Sequence, residues 1–201
     1  MLIWDFSRKS DDIMTRALPI PLTFASFADV EALLRTFETT PCDEPGLTEL
    51  DHGLQCAEAL RKMAPDDVGL QVAGLLHDVA HGACHIDAHH EVGADALEPL
   101  FGSRIAQLVR LHVDAKRYLV ATRPAYRARL SPISMQSLMA QGGAMSDDEV
   151  AGFEARPWWR EGLRLRVADE VAKVIGQPTS GLDHWLPLVR SVCAGPGGAR
   201  A

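Results

Sequence analysis

An apolar run that ends abruptly in two ionisable side chains, Leu75-Leu76-His77-Asp78, constrains this chain more than any other feature. The leucines carry the run towards the interior, where an unpaired carboxylate is costly, so Asp78 requires a metal ion or a cation beside it. Further residues complete a candidate ligand set: His52 before the pair, then His90, His112 and Asp169 after it. Together these four histidines and two aspartates exceed what one tetrahedral zinc ion needs. Imidazole with carboxylate suits iron, manganese or zinc better than calcium or magnesium. An adjacent His-Asp pair can serve two ions, the histidine on one and the aspartate bridging both. The set therefore points to a dinuclear site.

The flanking residues place that set on helices. Leu54, Ala57, Leu60 and Arg61 follow His52 at helical spacing, and Val72, Leu75, Leu76 and Val79 flank His77. His77 and His81 are four apart and are expected on one helix face. Ile105, Leu108, Leu111 and His112 form another stripe, with Lys116 one turn beyond on the same side. Arg166 stands three residues before Asp169. Two cations beside a metal centre suit an anionic substrate. Lone histidines such as His85, His89 and His184 read as packed or surface residues, and Asp169 alone could be a surface carboxylate paired with Lys173.

The pattern predicts an all-α fold. Residues 1–25 read as an extended arm punctuated by prolines in Leu18-Pro19-Ile20-Pro21-Leu22, residues 26–193 as a single helical domain, and residues 194–201 as a flexible glycine-containing tail. Ser26 reads as a helix cap before the stripe Phe27, Val30, Leu33, Leu34, Phe37. Ser131-Pro132 opens a short helix that Gln141-Gly142-Gly143 closes, and Ser146 with Glu149 forms a capping box.

A net charge of −7 argues against nucleic acid as a general partner. The cysteines Cys42, Cys56, Cys84 and Cys193 form no CxxC pair, which predicts reduced thiols and a cytoplasmic location. No apolar run approaches the roughly 20 residues of a membrane span. The sequence carries no signal for oligomeric state.

Taken together, the motifs resemble the HD-domain superfamily, whose name describes a His-Asp pair like His77-Asp78, and within it the mixed-valence diiron oxygenases that cleave phosphonates and are related to myo-inositol oxygenase. The resemblance covers roughly residues 44 to 173. It rests on Thr48-x-Leu50-x-His52-x-Leu54-Gln55-Cys56-Ala57, on Leu75-Leu76-His77-Asp78-x-x-His81, and on His90-Glu91-Val92-Gly93. Two later motifs separate this group from generic HD phosphohydrolases: His112-Val113-x-Ala115-Lys116-Arg117-Tyr118-Leu119 and the segment from Leu130-Ser131-Pro132 through Ser134 and Ser137-Leu138 to Gln141-Gly142-Gly143.

The resemblance implies a helical bundle around two irons in the Fe(II)/Fe(III) state. His52, His77, Asp78 and Asp169 would bind one ion, and Asp78, His90 and His112 the other. His89 is the alternative to His90, but Glu91 and Gly93 favour His90 in the family frame. His81 and Lys116 would act at the reacting group, and Glu44, His81, Lys116, Ser134 and Arg166 would hold the substrate. The implied reaction is O2-dependent cleavage of the carbon–phosphorus bond of a 1-hydroxy-2-aminoethylphosphonate, with a free or N-trimethylated amine, giving phosphate and glycine or glycine betaine. A metal-dependent phosphohydrolase acting on a phosphate ester or nucleotide is the competing reading, since the same ligands and cations serve it. The family's tyrosine before the first histidine is absent here, where Pro41 or Cys42 stands, and only Glu44 matches the family's acidic residue. Trp158 and Trp159 offer faces for a quaternary ammonium, although core packing is their more ordinary role.

Overall fold

The computed structural model describes residues 22–193, and the arm expected for residues 1–25 falls outside it except for residues 22–25, as does the tail from residue 194. Among the described residues the chain is all-α, with helices α1 (Phe27–Phe37), α2 (Glu49–Met63), α3 (Val68–Leu76), α4 (His89–Thr122), α5 (Pro124–Arg127), α6 (Pro132–Ala140), α7 (Asp147–Glu154), α8 (Trp159–Val171) and α9 (Leu182–Ser191). No described helix is long and apolar enough to cross a membrane.

Local chemistry sets the helix boundaries. The Ser26 amide donates to Asp29 Oδ2 at 2.8 Å, and the Thr48 hydroxyl accepts from the Asp51 amide at 3.0 Å. Ser146 and Glu149 exchange reciprocal bonds in the expected capping box, 2.8 and 3.3 Å long. Ser131 caps α6 by accepting from the Ser134 amide at 3.0 Å, with Pro132 at the first helical position. The α4 element is interrupted at Gly102, whose φ of +76° and ψ of 171° break the helix into two stretches.

Helices α2, α3, α4 and α8 pack against one another and form the centre of the molecule. Buried Leu54, Leu60, Leu76, Leu97, Leu108 and Leu165 fill their shared core, and Val30, Leu34 and Trp185 from α1 and α9 seal one side. A second apolar cluster, including Leu111, Leu138, Phe153 and Tyr118, anchors α6 and α7 at the other end. Gly53 lets α2 approach α3 closely: a Cβ there would stand 2.8 Å from the Leu75 carbonyl oxygen. The approach brings His52 and His77 to a ring separation of 5.0 Å.

One expectation is corrected. His77 and His81 do not share a helix face, because α3 ends at Leu76 and the chain turns through residues 77–84. Gly82, with φ of +72°, lies within that turn.

Candidate metal centre

The four central elements each deliver ligand-type side chains to one place. His52 comes from α2, His77 and Asp78 from the turn that follows α3, His112 from α4 and Asp169 from α8. All of the histidines and Asp169 are nearly excluded from solvent, and the Asp78 side chain is 13 % exposed.

Asp78 lies between two groups of donors. Its Oδ2 is 3.2 Å from His77 Nε2 and 3.6 Å from His52 Nε2, and Asp169 Oδ1 joins the same group 3.3 Å from His52 Nε2. Its Oδ1 is 3.4 Å from His89 Nε2 and 3.6 Å from His112 Nε2. His52, His77 and Asp78 are compact enough to hold one ion, and Asp78, His89 and His112 a second.

The structure brings His89, not the expected His90, into the second group. The His90 ring belongs to neither group; its Nδ1 is buried without a hydrogen-bond partner, and its Nε2 faces Glu91 at 3.9 Å. Neighbouring helix residues point about 100° apart, so only one of the pair can face the centre.

Each inward histidine is oriented by the backbone. Nδ1 of His52 donates to the Ala172 carbonyl at 2.7 Å, that of His77 to Gly74 at 2.8 Å, that of His89 to Ile86 at 2.6 Å and that of His112 to Val109 at 2.6 Å. A proton held at Nδ1 leaves the Nε2 lone pair aimed into the site, the arrangement metal-binding histidines use. His77 Nε2 is buried and makes no hydrogen bond, and the Nε2 atoms of His89 and His112 face each other at 3.0 Å. Lone pairs converging in this way fit a cation between them.

The electrostatics agree. Burial works against the Asp78 carboxylate, but His77 and His81 hold it well below the ordinary carboxylate range, and Arg166 and His52 do the same for buried Asp169. Burial opposes charge on His77 as well, yet Asp78 pushes it up to about 9, so the group draws in positive charge as a proton when no ion is bound. Burial and the neighbouring His89 keep His112 neutral, as a ligand requires.

A cleft opens beside these groups, and the remaining expected residues line it. Lys116 Nζ donates to Ser137 Oγ at 2.7 Å; burial, followed by the charge of Arg166, lowers its pKa to about 7. His81 Nε2 lies 3.6 Å from Asp78 Oδ1 and its Nδ1 3.3 Å from Glu49 Oε1, and these carboxylates outweigh burial to raise it to about 10. Arg166 reaches the cleft but is heavily engaged: it bonds Asp169 and Glu170, donates to Tyr126 Oη at 2.7 Å and stands 3.4 Å from Ser134 Oγ. Its first task is to hold Asp169.

Several contributors escaped the sequence reading. Lys173 does not pair with Asp169; its Nζ donates to Ser134 Oγ at 2.6 Å and lies 3.1 Å from Glu44 Oε1. Glu44 also accepts from Ser131 Oγ at 2.5 Å, which ties the loop before α2 to the cap of α6. Their separation in sequence, with Lys173 beyond the end of α8, hid the pairing. Buried Glu49, in the first turn of α2, orients His81. Cys42 lines the cleft near the position of the missing tyrosine, and burial pushes its thiol up to about 12, so it stays protonated. The tryptophans are packing residues: Trp158 lies against the main core, and Trp159 stacks near Tyr118 and Phe153.

A model of the HD domain matches residues 50–172. The [1-hydroxy-2-(trimethylamino)ethyl]phosphonate dioxygenase (glycine-betaine-forming) of Leisingera caerulea is 39% identical over 155 residues, covering 72% of this chain and 78% of that protein. The hydroxymethylphosphonate dioxygenase of Gimesia maris is 35% identical over 161 residues, 74% of this chain and 79% of that protein. An uncharacterized protein of Acanthamoeba polyphaga mimivirus is 32% identical over 158 residues, 71% and 70% of the two chains.

Proposed function

The chain belongs to the HD-domain family, and from that premise we propose that it is an oxygenase cleaving the carbon–phosphorus bond of a small 1-hydroxyphosphonate, with O2 as cosubstrate and phosphate and a carboxylate as products. The observation that carries the reading is the division of Asp78 between two histidine groups beside a cleft lined by Lys116, Arg166, Lys173 and His81. Two relatives of similar length bear phosphonate dioxygenase names, which supports the same class of substrate.

In this reading His52, His77, Asp78 and Asp169 would hold one ion, and Asp78, His89 and His112 the other. A pair of irons in the Fe(II)/Fe(III) state supplies redox chemistry that redox-inert zinc does not. The chain's own residues do the rest. Lys116 and His81 present positive charge to the phosphonate oxygens, and fixed charges of this kind need no reorganisation when the substrate's charge shifts. Ser137 and Ser134 position the two lysines. Arg166 keeps Asp169 ionised and holds its carboxylate beside His52, where it would serve an ion. Ile86, Val113 and Ile133 form the apolar part of the wall and limit water.

The test is anaerobic metal analysis followed by substrate-dependent oxygen uptake. Two irons per chain, with phosphate released from a 1-hydroxyphosphonate only when O2 is present, is the expected result. Release of phosphate from an ester without O2 would replace this reading with a hydrolase.

Lys116→Ala should raise KM for the phosphonate by about tenfold or more while leaving iron content unchanged, since a charged hydrogen bond to the substrate is lost. With a Lys116 pKa of about 7, the ammonium is present below that pH and lost above it. Wild-type KM should therefore climb as pH rises through neutrality, and the variant should lack that component. Identical pH profiles would place Lys116 outside the substrate's reach.

A further inference from the structure

Glu44, on the loop before α2, puts a carboxylate on the cleft wall, yet its charge is already taken. Glu44 Oε1 stands 3.1 Å from Lys173 Nζ and accepts from Ser131 Oγ at 2.5 Å, and both partners of the ion pair are mostly buried, their side chains 17% and 16% exposed. Lys173 is held in turn by Ser134 Oγ at 2.6 Å, with Glu170 Oε2 4.0 Å away. Screening by water is weak at such a site, so the pair is not readily exchanged for a passing cation. We propose that Lys173, by occupying Glu44, makes this a site for hydroxyphosphonates whose remaining substituent is uncharged, and that Lys173 is the residue that sets this specificity. The inference rests on the hydroxyphosphonate reading and narrows it.

The rest of the cleft agrees. Lys116 and His81 are assigned to the phosphonate, Arg166 is paired with Asp169 and Glu170, and Asp78 and Asp169 face the inward histidines, so Lys173 is the cation that a tail approaching Glu44 meets. Asp43, the remaining carboxylate on the wall, is exposed, and an exposed charge contributes little to binding. An ammonium entering here lies beside Lys173 or displaces it from Glu44, and like charges side by side are costly. A trimethylammonium group also lacks hydrogen-bond donors and relies on aromatic faces. Among the described residues no phenylalanine, tyrosine or tryptophan lines the cleft; Ile86, Val113 and Ile133 do, which suits a short neutral substituent.

The experiment is anaerobic calorimetric titration of the iron-loaded full chain with hydroxymethylphosphonate, 2-amino-1-hydroxyethylphosphonate and its N-trimethyl analogue, with O2-dependent phosphate release measured in parallel. Wild type should bind hydroxymethylphosphonate at least about tenfold more tightly than either ammonium compound. Lys173→Gln should narrow that gap by improving the ammonium ligands, and Glu44→Gln added to it should abolish the improvement. Wild-type binding alone decides the preference if the variants do not fold. Equal or tighter binding of an ammonium compound by wild type overturns the proposal while leaving the cleavage reading intact. A neutral-tail preference without O2-dependent phosphate release does the reverse, and failure of all three to bind overturns both.

Discussion

Replacing Asp78 by alanine should empty the centre of both metals rather than one. Its two carboxylate oxygens serve different histidine groups, Oδ2 facing His52 and His77 and Oδ1 facing His89 and His112, so one substitution takes a ligand from each. Loss of an outer hydrogen-bond partner typically weakens metal affinity about 10–100-fold, and losing the bridge itself should exceed that for both ions. Iron per chain after gel filtration should approach zero, and oxygen uptake should vanish with it. Helical circular dichroism provides the control for folding. A purified Asp78→Ala protein that still holds two irons would show that Asp78 bridges nothing.

A second large effect separates adjacent residues. His89→Ala should reduce bound iron from two to one and abolish turnover, because His89 Nε2 stands 3.4 Å from Asp78 Oδ1 and 3.0 Å from His112 Nε2. His90→Ala should retain both irons and most of the activity. Its buried Nδ1 has no hydrogen-bond partner to lose, so the cost in stability, about 0.5–3 kcal/mol, should come from the space its ring vacates. The reverse pattern in metal content would restore His90 as the ligand and require the first turn of α4 to be rotated.

That pair also marks where the sequence stopped being legible. His52, His77, Asp78, His112 and Asp169 could be picked out because each lies within a continuous periodic stripe or ends an apolar run. The choice between His89 and His90 depends on the helical phase of the first turn of α4. Counting back from His112 cannot supply that phase, because Gly102, at φ of +76°, breaks the helix between them. The all-α architecture and the caps at Ser26 and Ser146 were readable from local chemistry. Lys116 and Arg166 were readable from their spacing to a ligand on the same helix. Lys173 was not: it leaves the end of α8 to meet Glu44, a contact between residues far apart in the chain that no periodicity encodes. The turn carrying His81 was misread as helix because four-residue spacing is compatible with either conformation, and α3 ends at Leu76.

The carbonyl groups that orient the four inward histidines have a further consequence for how the centre comes apart. For His77, His89 and His112 the acceptor is the carbonyl three residues earlier in the same stretch of chain, and for His52 it is the backbone just beyond α8. The Nδ1 atoms of these rings bond backbone rather than side chains, so drift in the surrounding sequence leaves their tautomers alone so long as the turns persist. The same dependence ties the ions' lifetime to the backbone: a ring is released when its turn opens. Chelator-driven iron loss should then proceed at the rate at which those turns exchange their amide hydrogens, making demetallation a clock for local unfolding.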